Sequence, residues 1–119
     1  MSAIKIEFRG AAEGRALHAR VIDQVTGLLD ALAFRPTSVR ATFTDENGPK
    51  GGNAFRCALE VRLPRRAAVH VEDVSTTSRR AFDGALTKLE RQLARVRDTS
   101  RALKRRPKKY FVARRALSP

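Results

Sequence analysis

The sequence predicts an α+β fold: a four-stranded sheet with two helices packed on one face, followed by a basic C-terminal tail. Four short segments alternate apolar and polar residues with the period of half-buried strands, and two longer segments repeat apolar residues with the period of a helix. The elements follow the order β-α-β-β-β-α. Because each helix has one apolar stripe and each strand one apolar face, both helices are expected on the same side of the sheet.

The N-terminal third is predicted to hold one strand and one long helix. Ile4, Ile6 and Phe8 alternate with charged residues, which indicates a strand with one wet face. Apolar residues at helical spacing follow over residues 12–33, and Pro36 closes this helix because the residue before a proline disfavours the helical region. The long helix allows the first strand to lie parallel to a neighbour through a right-handed crossover.

Three strands are predicted in the middle of the chain. Alternation runs over residues 39–44, 55–63 and 69–72, and dense turn signals at residues 45–52 and 64–66 separate these segments. Strands joined by such short turns are expected to be antiparallel neighbours. The second face of the sheet is polar on this prediction, and it presents Lys5, Glu7, Arg40, Thr42, Arg56, Glu60, Arg62, His70 and Glu72.

The second predicted helix carries the strongest sign of function. Its apolar stripe, over residues 76–98, faces the sheet, and cationic side chains gather on the opposite side at about 100° per residue. Only Asp83 and Glu90 of this helix are available to pair with them, which favours a polyanion-binding face over a solvated face neutralised by salt bridges. The cations are Arg80, Lys88, Arg91 and Arg95, with Arg79 flanking the apolar side.

The positive charge is concentrated in the last part of the chain. The sequence has 25 Lys and Arg against 12 Asp and Glu, a net charge of +13, of which residues 1–74 carry +2 and residues 75–119 carry +11. The α+β domain is predicted to span residues 1–98, and the tail, residues 99–119, contains no acid. Two interpretations of the tail stay open: contact with RNA through charge and aromatic stacking, or a disordered, solubilising extension. Its candidate RNA-binding residues are Arg101, Lys104, Arg105, Arg106, Lys108, Lys109 and Tyr110.

The glycine-rich turn at residues 47–52 is a further candidate for anion binding. Its backbone N–H groups and Lys50 suit a phosphate, but the Gly-Lys-Ser/Thr ending of a nucleotide-binding loop is missing, and a strand follows instead of a helix. Nucleotide binding is therefore disfavoured. A mobile turn between strands, or a loop that touches a nucleic-acid backbone through Lys50, are the two interpretations that stay open.

Catalysis, metal binding and membrane insertion are not indicated. His18 and His70 lack a Cys or carboxylate at metal-ligand spacing, and Cys57 lies on the inward side of its strand, where a buried inert thiol is expected. No window holds about 18 uncharged apolar residues, and no secretory signal opens the chain. We expect a cytoplasmic module for structured RNA, with no catalytic residue, metal, cofactor or small-molecule substrate. General RNA or DNA binding, and docking of an acidic protein partner by the tail, stay open as alternatives.

One segment of the chain resembles a known family. It reads Val71-Glu72-Asp73 and then, after a short loop, Ala81-Phe82-Asp83-Gly84-Ala85-Leu86-Thr87-Lys88-Leu89-Glu90-Arg91-Gln92-Leu93. This order of residues resembles the second helix of the ribosome hibernation promoting factors, which belong with the ribosome-associated translation inhibitors. The turn at residues 45–52, with Cys57 in the next strand, resembles a variant branch of the same family. The resemblance covers about residues 3–98, and the family's fold has the element order predicted above.

The resemblance implies a function without chemistry. Such proteins bind the small ribosomal subunit in its mRNA channel, where mRNA and tRNA would sit, and stop translation by occupancy in stationary or stressed bacteria. Basic residues on their helices contact rRNA, and the matching positions here are Lys88 and Arg91. Arg79 stands where the family often has an aromatic residue. The long members carry a second domain that pairs ribosomes, so the resemblance is to the short form, and we expect a monomer whose partners are the small subunit and its rRNA.

Overall fold

The computed structural model of the chain describes residues 4–9, 14–46 and 54–105, and side chains as far as residue 99. The predicted order β-α-β-β-β-α is confirmed, and with it the fold class. The bounds are β1 Ile4–Arg9, α1 Arg15–Ala31, β2 Ser38–Asp45, β3 Phe55–Arg62, β4 Val69–Ser75 and α2 Ser78–Arg105.

The four strands form one mixed sheet in the order β1-β2-β3-β4. β1 pairs parallel with β2 because α1 carries the chain back to the same end of the sheet, and the other pairs are antiparallel. The predicted parallel and antiparallel neighbours are both confirmed. The register aligns the inward-facing residues in rows across the sheet. One such row contains Ile6, Ala41, Leu59 and Val71.

The hydrophobic core lies between the sheet and the two helices. Phe43 of β2 is fully buried at its centre, with its ring centroid 5.1 Å from that of Phe8 and 6.5 Å from that of Phe82. Among the described residues no polar or charged side chain is buried, so the charges lie on the outer surfaces of the fold. The helices contribute the buried residues Val21, Val25, Leu29, Ala81, Phe82, Ala85, Leu89 and Leu93.

Both helices differ from their predicted bounds. α1 ends at Ala31, earlier than the predicted residue 33, because Ala33 adopts a left-handed backbone with φ 59° and Phe34 N donates to Leu29 O at 2.9 Å. α2 continues past the predicted end at residue 98, since Ala, Leu, Arg and Lys favour the helix and no Gly or Pro occurs between Asp98 and Pro107. The backbone of residues 99–105, which the sequence assigned to the tail, is therefore helical.

Candidate nucleic-acid interface

The orientation of α2 is fixed by a cap at its first turn and by its buried apolar stripe, and this determines which side chains face solvent. Thr77 Oγ1 accepts a hydrogen bond from Arg80 N at 3.1 Å, which satisfies one free N–H group of the first turn. The apolar stripe, with Phe82, Leu89 and Leu93 fully buried, fixes the rotation of the helix against the sheet. We call the exposed cations of α2 the helix face: Arg79, Arg80, Lys88, Arg91 and Arg95.

Most cations of the helix face have no acidic partner. Asp83, which the sequence left available to neutralise them, lies instead against α1, where Arg20 donates to Asp83 Oδ1 through Nε at 3.1 Å and Nη2 at 3.0 Å. This pair joins the two helices and removes one acid from the helix face. Within the described part of the chain, no salt bridge involves Arg79, Arg80, Arg91 or Arg95.

Lys88 is the exception on the helix face, because it is bound to the neighbouring strand. Its Nζ donates to Glu72 O at 2.8 Å and to Asp73 Oδ1 at 3.2 Å, while its side chain stays 51% exposed. Gly84 makes room for this contact, since a Cβ there would lie 1.8 Å from Asp73 Oδ2. The sequence assigned no role to Asp73 or Gly84 in placing Lys88. The alternation Val69, Val71, Asp73 nevertheless puts Asp73 on the inward side of β4.

The polar side of the sheet, which we call the sheet face, is also charged, but its charges pair with one another. Arg56 Nη1 lies 2.5 Å from Glu72 Oε1 and its Nε contacts Glu46, while His70 Nε2 lies 2.8 Å from Glu72 Oε2. Hydrogen bonds from His70 and then Arg56 lower the pKa of Glu72, and the bonds to Glu46 and Glu72 raise the pKa of Arg56. The cluster is therefore fully ionised at the carboxylate and guanidinium near neutral pH.

Most of the remaining charges of the sheet face are also paired, although Lys5 forms no salt bridge with a described residue. Glu7 on β1 contacts two cations, with Arg9 Nη2 at 3.3 Å and Arg40 Nε at 3.6 Å, and Arg62 Nε lies 3.2 Å from Glu60 Oε2. These pairs lie along one strand or across adjacent strands, as the register allows. The polar sheet face expected from the sequence is confirmed, and its internal pairing is a finding of the structure.

Comparison with known proteins identifies the family. Residues 4–101 match the family described as "Sigma 54 modulation protein / S30EA ribosomal protein". The chain belongs to this family. The resemblance that the sequence predicted to the ribosome hibernation factors is thus confirmed. Members of the S30EA family are ribosome-associated factors.

Two solved structures of similar proteins have the same fold. The N-terminal domain of Protein Y from Thermus thermophilus matches with a TM-score of 0.66 and 22% sequence identity, over 81% of this chain and 99% of that one. A ribosomal subunit interface protein from Coxiella burnetii matches with a TM-score of 0.63 and 16% identity, over 80% and 97% of the two chains. No curated protein sequence matches the chain.

Several predicted binding residues of this S30EA-family chain have no described side chain. Arg101, Lys104 and Arg105 belong to the last turns of α2, where only the backbone is described. They continue the same helix as the helix face, so they extend its basic character along the chain. The other predicted residues lie outside the described residues: Lys50, Arg106, Lys108, Lys109 and Tyr110.

The remaining candidates for chemistry take no part in a site. Cys57 is fully buried, and burial together with the charge of Asp73 raises the pKa of its thiol to about 12. The interpretation of Cys57 as a buried thiol is confirmed. In the described ranges, no group of three or more His, Cys, Asp and Glu residues is arranged to hold a metal ion, and no helix is long and apolar enough to cross a membrane.

Proposed function

We propose that this chain is a ribosome hibernation factor that binds the small ribosomal subunit and stops translation by occupying the channel of mRNA and tRNA. The observation that carries the proposal is the helix face: a row of exposed arginines without acidic partners, on a chain of the S30EA family. One similar structure is titled a ribosomal subunit interface protein. The protein then acts in the cytoplasm of bacteria, as a monomer, in stationary or stressed cells.

The helix face suits rRNA through its shape and its charge. α2 has 28 residues and is about 42 Å long, so it presents its cations along a rod rather than at one point. Arg91 and Arg95 lie one turn apart, and a planar guanidinium can donate two hydrogen bonds to one phosphate. Such contacts supply affinity and salt dependence but read no base sequence. Selectivity for the ribosome then comes from the fit of the folded domain into the channel.

A general module for structured RNA or DNA is the alternative function. It is favoured by the same observation, because phosphate-binding arginines alone do not distinguish one nucleic acid from another. The two functions differ in the expected affinity for small subunits relative to arbitrary duplexes. Equal affinity for both would favour the general module, whereas a hibernation factor binds small subunits much more tightly.

The proposal is tested by co-sedimentation of the full chain with purified small subunits at modest salt. We expect the protein to pellet with the subunits and to be released as salt rises. The triple variant Lys88→Glu, Arg91→Glu and Arg95→Glu is expected to bind about a hundredfold more weakly, since it reverses three charges facing phosphates. A chain that stays in the supernatant at modest salt, or a triple variant that binds like the wild type, contradicts the proposal.

A further inference from the structure

The turn between β3 and β4 has an unusual backbone at an arginine. Arg65 follows Pro64 and adopts φ 61°, in the left-handed region that glycine and asparagine occupy at lower cost. The residues that flank the turn, Leu63 and Val69, are buried at 6% and 7% exposure. Both belong to the buried core cluster, so the turn is anchored at each end and holds Arg65 in this conformation.

Nothing within the described fold uses the side chains of this turn. Arg65 and Arg66 are both exposed, and in the described part of the chain neither forms a side-chain hydrogen bond or a salt bridge. Ala33, the other non-glycine residue with a left-handed backbone among those described, closes α1 through the hydrogen bond from Phe34 N to Leu29 O. An arginine kept where glycine would be less strained, without an internal contact, points to a ligand outside the chain.

The topology places this turn at the end of the sheet toward which α2 runs. α2 packs on β4 and is joined to it by residues 76–77, so it runs back along the strand. Arg95 is about 26 Å from the start of the helix, and β4 is about 23 Å long. Arg95 therefore lies about level with the beginning of β4, at the end of the sheet that carries the turn with Arg65 and Arg66.

We propose that Arg65 and Arg66 form a second contact with the phosphate backbone of RNA, continuous with the helix face. This inference rests on the proposed function and adds to it a surface outside α2. The charge favours RNA, since Arg65, Arg66 and Arg95 lie at the same end of the sheet and none of them forms a salt bridge with a described residue. Leu63 and Val69 beside the turn are buried, and its exposed apolar residues, Pro64, Ala67 and Ala68, are small, so the turn offers no large apolar anchor of the kind that protein partners use.

The test compares two variants that each lose two positive charges. Arg65→Gly with Arg66→Gln removes the two positive charges of the turn. Lys5→Gln with Arg9→Gln removes two exposed cations from β1, the edge strand on the opposite side of the sheet from β4. Binding of the full chain to purified small subunits is measured as salt is varied. We expect the turn variant to bind about tenfold more weakly, with a salt slope smaller by about 1.5, and the β1 variant to stay within about twofold of the wild type.

A second measurement separates binding from folding. Arg65→Gly alone is expected to raise the melting temperature by about 2–5 °C, because it relieves the left-handed backbone, while it weakens binding to the subunits about threefold. A residue with only a structural role would not move these two quantities in opposite directions. A fall in melting temperature would therefore contradict the inference.

The outcomes distinguish this inference from the proposed function. If the wild type binds small subunits and the turn variant binds them with the same affinity, the contact at Arg65 and Arg66 is overturned, while the proposed binding by the helix face still stands. An equal loss in the β1 variant also overturns it, because the effect would then follow from net charge alone. A wild-type chain that does not bind small subunits overturns the proposed function and this inference together.

Discussion

The helix face and the sheet face both carry exposed cations, but most cations of the sheet face are paired with acids and most of those on the helix face are not. On the sheet face the acids contact basic side chains, as Glu7 does with Arg9 and Arg40, and Glu72 with Arg56 and the imidazole of His70. On the helix face, Lys88 alone has an acidic partner in the described structure. An anion approaching the sheet face has to displace existing pairs, whereas the arginines of the helix face are available to it.

The difference shows why net charge is a poor guide to a binding surface. Cross-strand neighbours place acids opposite cations, so a sheet can neutralise itself wherever both signs alternate along its strands. On α2, Asp83 contacts Arg20 of α1 and Asp98 contacts Arg97, while Glu90 forms no salt bridge with a described residue, so the helix face is left positive. The following variants either make the two faces alike or increase the contrast between them.

Thr87→Glu introduces an acid on the helix face, and it has the largest expected effect of these single changes. Thr87 is exposed and precedes Arg91 by one helical turn, an orientation in which Glu and Arg pair well. We expect about fivefold weaker binding to small subunits, with the free energy of unfolding changed by no more than about 0.5 kcal/mol, because the pair with Arg91 is offset by repulsion from Asp83 one turn earlier. Isothermal titration and chemical denaturation measure the two quantities.

The matched control is Thr44→Glu, which adds the same charge to the sheet face. Thr44 lies between Arg9 and Arg56 in the register. Its binding is expected to stay within about twofold of the wild type. If Thr44→Glu weakened binding as much as Thr87→Glu, the two faces would be equivalent and the comparison would fail.

Asp73→Asn increases the contrast by removing the acidic partner of Lys88. Lys88 Nζ keeps its hydrogen bond to Glu72 O, but its charge is no longer neutralised, so we expect about two- to threefold tighter binding to small subunits. Stability should fall by no more than about 1 kcal/mol, since the pair is partly exposed. Glu7→Gln, which releases Arg9 and Arg40 on the sheet face, is the control and should leave affinity unchanged. Tighter binding by the control but not by Asp73→Asn would reverse the assignment of the faces.

The smallest expected effect concerns the sheet face, where Glu72 should make the stability of the fold depend on pH. The pKa of Glu72 is lowered in the folded chain, so its contribution is present above the unfolded value of 4.5 and is lost as the pH falls through the folded value. We expect the free energy of unfolding to fall more steeply below pH 4.5 in the wild type than in Glu72→Gln. Denaturation curves at a series of acidic pH values measure this difference. Identical pH profiles would show that the cluster of Glu72, His70 and Arg56 contributes nothing to stability.

The sequence predicts the fold and the helix face because both depend on local periodicity. Alternation along each strand and the apolar stripe of α2 determine which side chains point inward, and the cations follow from the same spacing. The pairings depend on which elements pack together. The contact of Asp83 with Arg20 requires the two helices to be neighbours, and that of Lys88 with Asp73 requires β4 to extend to Ser75, beyond its predicted end near residue 72. Pro64 indicates a turn, but without Gly or Asn at the next position the sequence does not single out Arg65 as its residue with a left-handed backbone.

The central claim is that unpaired cations of α2, and not basic charge in general, bind the small ribosomal subunit. The most direct test measures the affinity of two double variants for purified small subunits across a range of salt. We predict that Arg91→Gln with Arg95→Gln binds about tenfold more weakly, with a salt slope smaller by about 1.5. Arg9→Gln with Arg40→Gln, which removes as much charge from the sheet face, should match the wild type. Equal losses in both variants would contradict the claim.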